Sequence, residues 1–531
     1  MSPRNEERGA RRQGPDSGKP QRRNAKGRER NRPAAPGYTQ SAPSQRTRRA
    51  DPARLAAFEV LRAVAEEDAY ANLVLPARIR ENRLDKRGAG FATELAYGAL
   101  RGQGTYDAIL AECVDRPLAK LDPAILDALR IGAHQLLAMR VPAHAALDQT
   151  VGLARAVIGA GPGTLINAVL RRITAKDLPG WLDQLTAGIT DPTKSSALRH
   201  SHPEWVVRAL RQSLVVHGRD AAEIEQLLAA NNAAPVVNLV ALPGIGDLAE
   251  ALEAGGRPGT LVEGSALYSE GDVGRLSSVR DGTTRVQDAG SQLVARALTV
   301  AAMARAGNPQ EDAEKAGNGD DTAGDGERSD QAGEKWLDLC AGPGGKAALL
   351  ASLAAQRGAT LLANEPAPHR AKLVRQALAP IPANTWEIRV DDGRSVGEEF
   401  PDHFDRVLVD APCTGLGALR RRPEARWRRK PSDLADLGPL QRGLLQAALD
   451  AARPGGIVAY ATCSPHPAET TAVVTDVLNK RDDAELIDAG KTLDSASLAG
   501  ELNAGSGMTA QLWPHIHGTD AMFLALIRKN A

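Results

Sequence analysis

Lys335-Trp336-Leu337-Asp338-Leu339-Cys340-Ala341-Gly342-Pro343-Gly344-Gly345-Lys346 reads as a strand that enters a glycine-rich turn and leaves it as a helix from about Ala347. Three glycines and Pro343 let the backbone turn sharply and approach a ligand closely between strand and helix. The turn is not a phosphate loop. Lys346 is followed by Ala347 rather than Ser or Thr, and the GxGxxG spacing is missing. Working outward, the same rhythm repeats. Thr360–Asn364 reads as a second strand, Trp386–Val390 as a third, Arg406–Val409 as a fourth and Ile457–Tyr460 as a fifth, with helical stretches between them. This alternation predicts an α/β Rossmann-like domain, a mostly parallel sheet with helices on both faces. Ligands of such sheets bind beyond the carboxyl ends of the strands, where the strand order reverses.

Acids and thiols stand at those ends. Glu365 follows the second strand, where an acid can accept both hydroxyls of a ribose. Asp392 follows the third and can meet an adenine edge. With the glycine loop they suit an adenosine ligand that carries no phosphates. VDAPCTG (409–415) places Asp410 and Cys413 after the fourth strand, and YATCS (460–464) places Cys463 after the fifth. A lone cysteine is usually a buried filler. Two at equivalent strand ends beside a nucleoside pocket can face one substrate, but the residues alone do not rank them. Arg420, Arg421, Arg422, Arg426, Arg428, Arg429 and Lys430 crowd the next stretch around Trp427, and their place beside the pocket predicts contact with phosphates.

The N-terminal part reads differently. Asp51 is a helix cap with Pro52 at the first helical position. From there to about Arg172 the apolar spacing is helical, as in Leu55, Phe58, Val60, Leu61 and Val64, with breaks at Pro117 and Pro142. The stretch 181–284 is mixed, with a helix after Pro203 and a strand over Val236–Leu242. The expected division is a disordered basic tail (1–50), an all-α domain (51–180), a small α+β unit (181–284) and the α/β domain (285–531) with a disordered acidic insert (306–335). The net charge of +1 hides an asymmetry: residues 1–50 alone carry +10, and the remainder −9. The insert holds nine acids against three bases.

Four cysteines, Cys113, Cys340, Cys413 and Cys463, are too few and too scattered for a disulfide framework or a zinc site, so no metal is expected. His144, His200 and His202 lack metal-ligand spacing and read as structural. No apolar segment follows the N-terminal charges, and no apolar run is long enough to span a bilayer. A cytoplasmic protein with reduced thiols and no membrane partner is expected.

LDLCAGPGGK (337–346), DAPCTG (410–415) and ATCSPHPAE (461–469) resemble the motifs of the NOL1/NOP2/Sun group of RNA 5-methylcytosine methyltransferases. INAVLRR (166–172), SHPEW (201–205) and VQDAGSQLVA (286–295) resemble one bacterial branch, which joins a helical domain of the NusB antitermination fold to the methyltransferase. The resemblance covers roughly residues 51–531 without the insert. It implies S-adenosyl-L-methionine as cofactor, held by Cys340, Ala341, Gly342, Pro343, Gly344, Gly345, Lys346, Glu365, Asp392 and Asp410. It implies a monomer acting on 16S ribosomal RNA, free or in an early small-subunit particle, with the 51–180 and 181–284 units helping to hold the RNA. Cys463 becomes the nucleophile that adds to cytosine carbon 6. Cys413 takes part in release, Asp410 meets the base near ring nitrogen 3, and Lys346 helps to position Asp410 or the base. Two alternatives remain: a transfer RNA substrate, or an inactive fold serving as a ribosome-assembly or antitermination factor. The chain departs from the family pattern at Gly342, where Ala is usual, and at Glu365, where Asp is usual. It departs again at Asp520-Ala521-Met522-Phe523, where Asp-Gly-Phe-Phe is usual and where packing of the last strand is expected to change.

Overall fold

The computed structural model describes residues 50–269, 271–303 and 333–530. Residues 1–49 of the expected basic tail and 306–332 of the expected acidic insert lie outside them. The last three residues assigned to that insert belong to the folded body. Lys335 opens a strand, and the Glu334 carboxylate accepts from Trp336 Nε1 (2.6 Å) and Arg406 Nε (2.8 Å). Acidic composition concealed that Glu334 satisfies two buried donors.

Seven helices, 52–66, 71–81, 86–101, 103–113, 123–137, 143–157 and 162–173, open the described chain. Asp51 Oδ1 accepts from Arg54 N (2.9 Å) ahead of Pro52, and Asp122 Oδ1 accepts from Ala124 N (2.8 Å) ahead of Pro123. Each pair satisfies an orphan amide at a helix start. Phe58, Leu61, Leu95, Ile109, Leu129, Ile131, Ile166 and Leu170 meet in one core. Helices 178–186, 192–199, 204–216 and 224–232 continue the chain. A small antiparallel sheet follows, formed by β1 (Val237–Ala241), β2 (Arg257–Pro258), β3 (Ser265–Tyr268) and β4 (Thr284–Val286) in the order β2-β3-β1-β4.

The second sheet carries the site. Its strands are β5 (Lys335–Asp338), β6 (Thr360–Asn364), β7 (Trp386–Arg389), β8 (Phe404–Asp410), β9 (Ala452–Thr462), β10 (Ala484–Ile487), β11 (Gly505–Ser506), β12 (Thr509–Gln511) and β13 (Phe523–Lys529). The order is β11-β12-β13-β9-β8-β5-β6-β7, with β10 also paired to β13. The five strands read from the sequence, β5 to β9, are mutually parallel. The other four pair antiparallel and extend the β9 side. Alternation sends Val407, Val409, Val458 and Tyr460 to one face, under helix 433–451. Leu408, Ala459 and Ala461 go to the other, under helices 289–300 and 345–356. The chain runs β5 to β6 to β7 in one direction and then crosses to β8 on the far side of β5. The order therefore reverses between β5 and β8, where the glycine loop and Asp410 leave the sheet. Among the described residues no helix is long and apolar enough to cross a membrane.

Candidate active site

β8 and β9 run in register, with Val409 opposite Tyr460 and Asp410 opposite Ala461. The loops leaving them therefore converge, and Cys413 Sγ lies 3.4 Å from Cys463 Sγ. Both thiols are free. Their surroundings differ. Cys463 is held below the ordinary thiol range by the hydrogen bond from Cys413 and by the Lys346 and Arg422 cations, against the opposing effects of burial and Asp410. Cys413 is pushed well above that range by the same thiol contact, by burial, and by the charges of Cys463, Glu469 and Asp410. The surroundings therefore favour a thiolate more at Cys463 than at Cys413.

Lys346 and Asp410 bridge the point where the strand order reverses. Lys346 Nζ donates to Asp410 Oδ2 (2.9 Å) and to Ser291 Oγ (3.3 Å). Burial disfavours the Lys346 charge, but Asp410 more than offsets this and raises its pKa. Beneath them lies Asp338, whose carboxyl is pushed up to about 7 by burial and then by Asp410. Its Oδ1 accepts from Cys340 N (3.3 Å), and its Oδ2 is buried without a partner. Burial and the neighbouring acids push the Cys340 thiol well up.

The glycine loop is braced against β6. Ala341 N donates to Asn364 O (2.9 Å), Asn364 Nδ2 donates to Leu339 O (3.0 Å), and Gly344 N donates to Ala341 O (2.7 Å). Gly344 sits at φ +110°, a conformation that favours glycine, and Gly345 starts the helix 345–356. Pro343 lies between Gly342 and Gly344. The buried Glu365 accepts from Ala367 N (3.1 Å) and pairs with Arg370 (3.3 Å), which also donates to Gly342 O (2.6 Å). A Cβ on Gly342 would stand 2.0 Å from Glu365 Oε2. In this chain the Glu365 carboxylate fills the space that a Cβ on Gly342 would need, so the two positions are sterically linked. Asp392 stands just beyond the end of β7, the strand beside β6. Its carboxylate accepts from Arg394 N (2.9 Å) and pairs with the Arg394 side chain. Arg389 ties that loop back to Asn364 Oδ1 (2.8 Å).

Arg420, Arg421, Arg426 and Arg428, four of the cations expected to meet phosphates, are engaged by the protein's own acids and carbonyls. Arg420 pairs with Asp288 and with Asp520 (3.0 Å), and Arg421 grips Asp520 through both oxygens. The fully buried Arg426 donates to Ser201 O (3.1 Å), Asn232 Oδ1 (2.8 Å) and Asn231 O (3.2 Å). Arg428 donates to Val64, Asp68 and Ala69 carbonyls of the first helical unit. Trp427 packs on Gly104. Arg426 and Arg428 lock the helical units to the α/β domain, and Arg420 and Arg421 tie segments within that domain. Arg422 and Lys430 stay exposed, and Arg422 stacks on Tyr70 at 5.0 Å. The departure at 520–523 sits in this knot. Asp520 is buried between the two arginines, and Ala521 N donates to Gly417 O (2.9 Å), while Gly417 N donates to Cys463 O (2.9 Å).

Three contributors went unread from sequence. Glu469 accepts from Thr414 N (2.7 Å), although it stood inside the quoted ATCSPHPAE motif. His217 donates or accepts at Thr470 Oγ1 (3.4 Å) and lies 3.1 Å from Pro465 O, and burial lowers its pKa to about 4. Tyr70 brings the first helical unit to Arg422. Of the histidines read as structural, His202 Nδ1 meets His200 O (2.7 Å) and His200 pairs with Glu225 (2.8 Å). Among the described residues, no group of three or more potential ligands could hold a metal ion.

Residues 329–528 match the family model described as 16S rRNA methyltransferase RsmB/F, and residues 51–175 match the NusB family. A methyltransferase-named protein of Mycobacterium tuberculosis is 46% identical over 488 residues, which span 91% of this chain and 98% of that protein. The ribosomal RNA small subunit methyltransferase B of Pseudomonas putida is 30% identical over 451 residues, spanning 82% and 91%. Among solved structures, the crystal structure of PH0851 shares the fold, with a TM-score of 0.70 at 20% identity over 91% of this chain and 99% of that one. The chain thus belongs to the RsmB/F family of 16S rRNA methyltransferases, as an rRNA methyltransferase with a NusB-family helical domain at its N-terminal side.

Proposed function

We propose that this protein methylates carbon 5 of a cytosine in 16S ribosomal RNA, through a covalent adduct at Cys463 and with S-adenosyl-L-methionine as methyl donor. The observation that carries this reading is the pair of free thiols 3.4 Å apart, with Lys346 and Arg422 on the Cys463 side and Glu469 on the Cys413 side.

The cofactor fits the residues present. Asp338, Glu365 and Asp410 bring three carboxyls to the strand ends beside Lys346, and Asp338 Oδ2 is an orphaned buried acceptor. Such a site suits a ligand bearing a sulfonium and an ammonium group. Cys340 to Lys346 would line its amino-acid end, Glu365 its ribose and Asp392 its adenine, with Asp410 near the reacting methyl. When bound, it supplies an electrophilic methyl group.

The chain does the rest. Cytosine carbon 5 is a poor nucleophile. The Cys463 thiolate adds to carbon 6, a carbon–sulfur bond forms, and carbon 5 becomes enamine-like and able to take the methyl group. Asp410, oriented by Lys346, meets the cytosine edge near ring nitrogen 3 and stabilises the adduct. Cys413, once its own proton has passed to solvent, takes the proton from carbon 5, and the electron pair left behind expels the Cys463 thiolate from carbon 6. The base must leave its stack to reach Cys463. The helical unit and the small β1–β4 unit are the surfaces proposed to hold the RNA around it, in a monomer working in the cytoplasm.

Bisulfite sequencing of ribosomal and transfer RNA from a deletion strain tests this. The expected result is loss of 5-methylcytosine from 16S rRNA alone. An unchanged 5-methylcytosine map would remove the reading, and loss confined to transfer RNA would move the substrate.

A further inference from the structure

Glu469 sits in the turn 467–469, seven residues beyond the end of β9, and is 1% exposed. Among the described residues it forms no ion pair. Burying a carboxylate without a cation is strongly unfavourable unless hydrogen bonds replace its water. Here they do. Its Oε1 accepts from Thr414 N (2.7 Å) and Gln441 Nε2 (3.3 Å), and its Oε2 accepts from Thr414 Oγ1. Its own carbonyl accepts from Tyr460 OH (2.8 Å). Gln441 Nε2 also donates to Pro412 O (2.8 Å), and Thr414 Oγ1 lies 3.2 Å from Ser464 Oγ. The chain neighbours of Cys413, Pro412 and Thr414, are thereby tied to Ser464, the neighbour of Cys463.

We infer that Glu469 is a positioning residue that clamps the two thiol loops together and assigns their roles, keeping Cys413 the proton carrier and Cys463 the nucleophile. This rests on the covalent reading above. The clamp explains why an uncompensated carboxylate is buried at this place. Its charge faces Cys413, together with those of Asp410 and Cys463 and beside the Tyr460 phenol, while the Lys346 and Arg422 cations face Cys463. Neutralising Glu469 removes a charge that acts on Cys413, whereas Asp410 acts on both thiols.

The test is competitive alkylation of the full chain by iodoacetamide between about pH 6 and pH 10, read at each cysteine by mass spectrometry. The alkylation measurement needs neither RNA nor cofactor. In the wild type Cys463 is expected to react first, with Cys413 roughly 10-fold slower or more. In Glu469→Gln, which keeps the shape and loses the charge, the ratio should collapse to within about 3-fold, and the pH midpoint of Cys413 should fall. Thr414→Val keeps the charge and removes one tie. It should preserve the order of alkylation while lowering kcat roughly 10-fold with little change in KM. An unchanged ratio in Glu469→Gln, on a wild type ordered as expected, overturns the inference alone. Wild-type kcat in Thr414→Val overturns the clamp. A wild type in which Cys413 reacts first overturns the nucleophile assignment itself, and the role of Glu469 with it.

Discussion

Gly342→Ala should damage cofactor binding while leaving the fold intact. The added Cβ would lie 2.0 Å from Glu365 Oε2, 2.9 Å from Glu365 Cδ and 3.0 Å from Arg370 Nη2. All three atoms are at the ends of flexible side chains, so the backbone need not move. What must move is the Glu365 carboxylate, now fixed by Ala367 N and Arg370. Hydrogen bonds to a charged group are worth about 1.5–3 kcal/mol. Displacing the acid from the ribose should therefore raise the Kd for S-adenosylmethionine about 10- to 100-fold. Calorimetric titration reads the affinity, and a thermal melt should shift by no more than about 2 °C. Glu365→Asp in the Gly342→Ala background shortens the acid by one methylene group and restores the usual family pairing. The double variant should recover most of the lost affinity, with a coupling energy of at least about 1 kcal/mol. Wild-type affinity in Gly342→Ala, or a double variant no better than the single, would refute the reasoning.

Asp338 gives a pH signature. Its folded pKa of about 7 lies above the ordinary value of 3.8, so its contribution to stability is complete below about pH 4 and is lost as pH rises through 7. Asp338→Asn should therefore raise the apo-protein melting temperature at pH 8 more than at pH 5; an equal shift at both would count against the buried acid. Arg422→Ala should move the alkylation midpoint of Cys463 upward and reduce the salt slope of RNA binding by about one, in filter-binding titrations. Arg426→Met strands acceptors of two segments, at Ser201 and at Asn231–Asn232, and should cost about 3 kcal/mol or more in denaturant unfolding, with early proteolysis between the helical units and the α/β domain.

The parallel half of the large sheet was legible because each of its strands is an apolar run set off by a helical interval. β10 to β12 were not, since strands of two to four residues such as Gly505–Ser506 carry no alternation to read. The thiols and acids were legible because a strand end is a defined place in such a sheet. Their ranking was not. The proposed ranking rests on Lys346 and Arg422 acting on Cys463 and Glu469 acting on Cys413, an arrangement made only by the fold. The internal partners of Arg420 and Arg421 were hidden for the same reason. Charge on Arg420 and Arg421 says nothing of exposure until Asp288 and Asp520, more than ninety residues away in either direction, arrive beside them.

The covalent role of Cys463 is open to one direct measurement. Cys413→Ala protein, incubated with S-adenosylmethionine and small-subunit ribosomal RNA, should accumulate an RNA–protein adduct that survives a denaturing gel, and peptide mapping should place the RNA on Cys463. Cys463→Ala should give neither adduct nor 5-methylcytosine. An adduct that persists in Cys463→Ala, or methylation that continues there, would contradict the account.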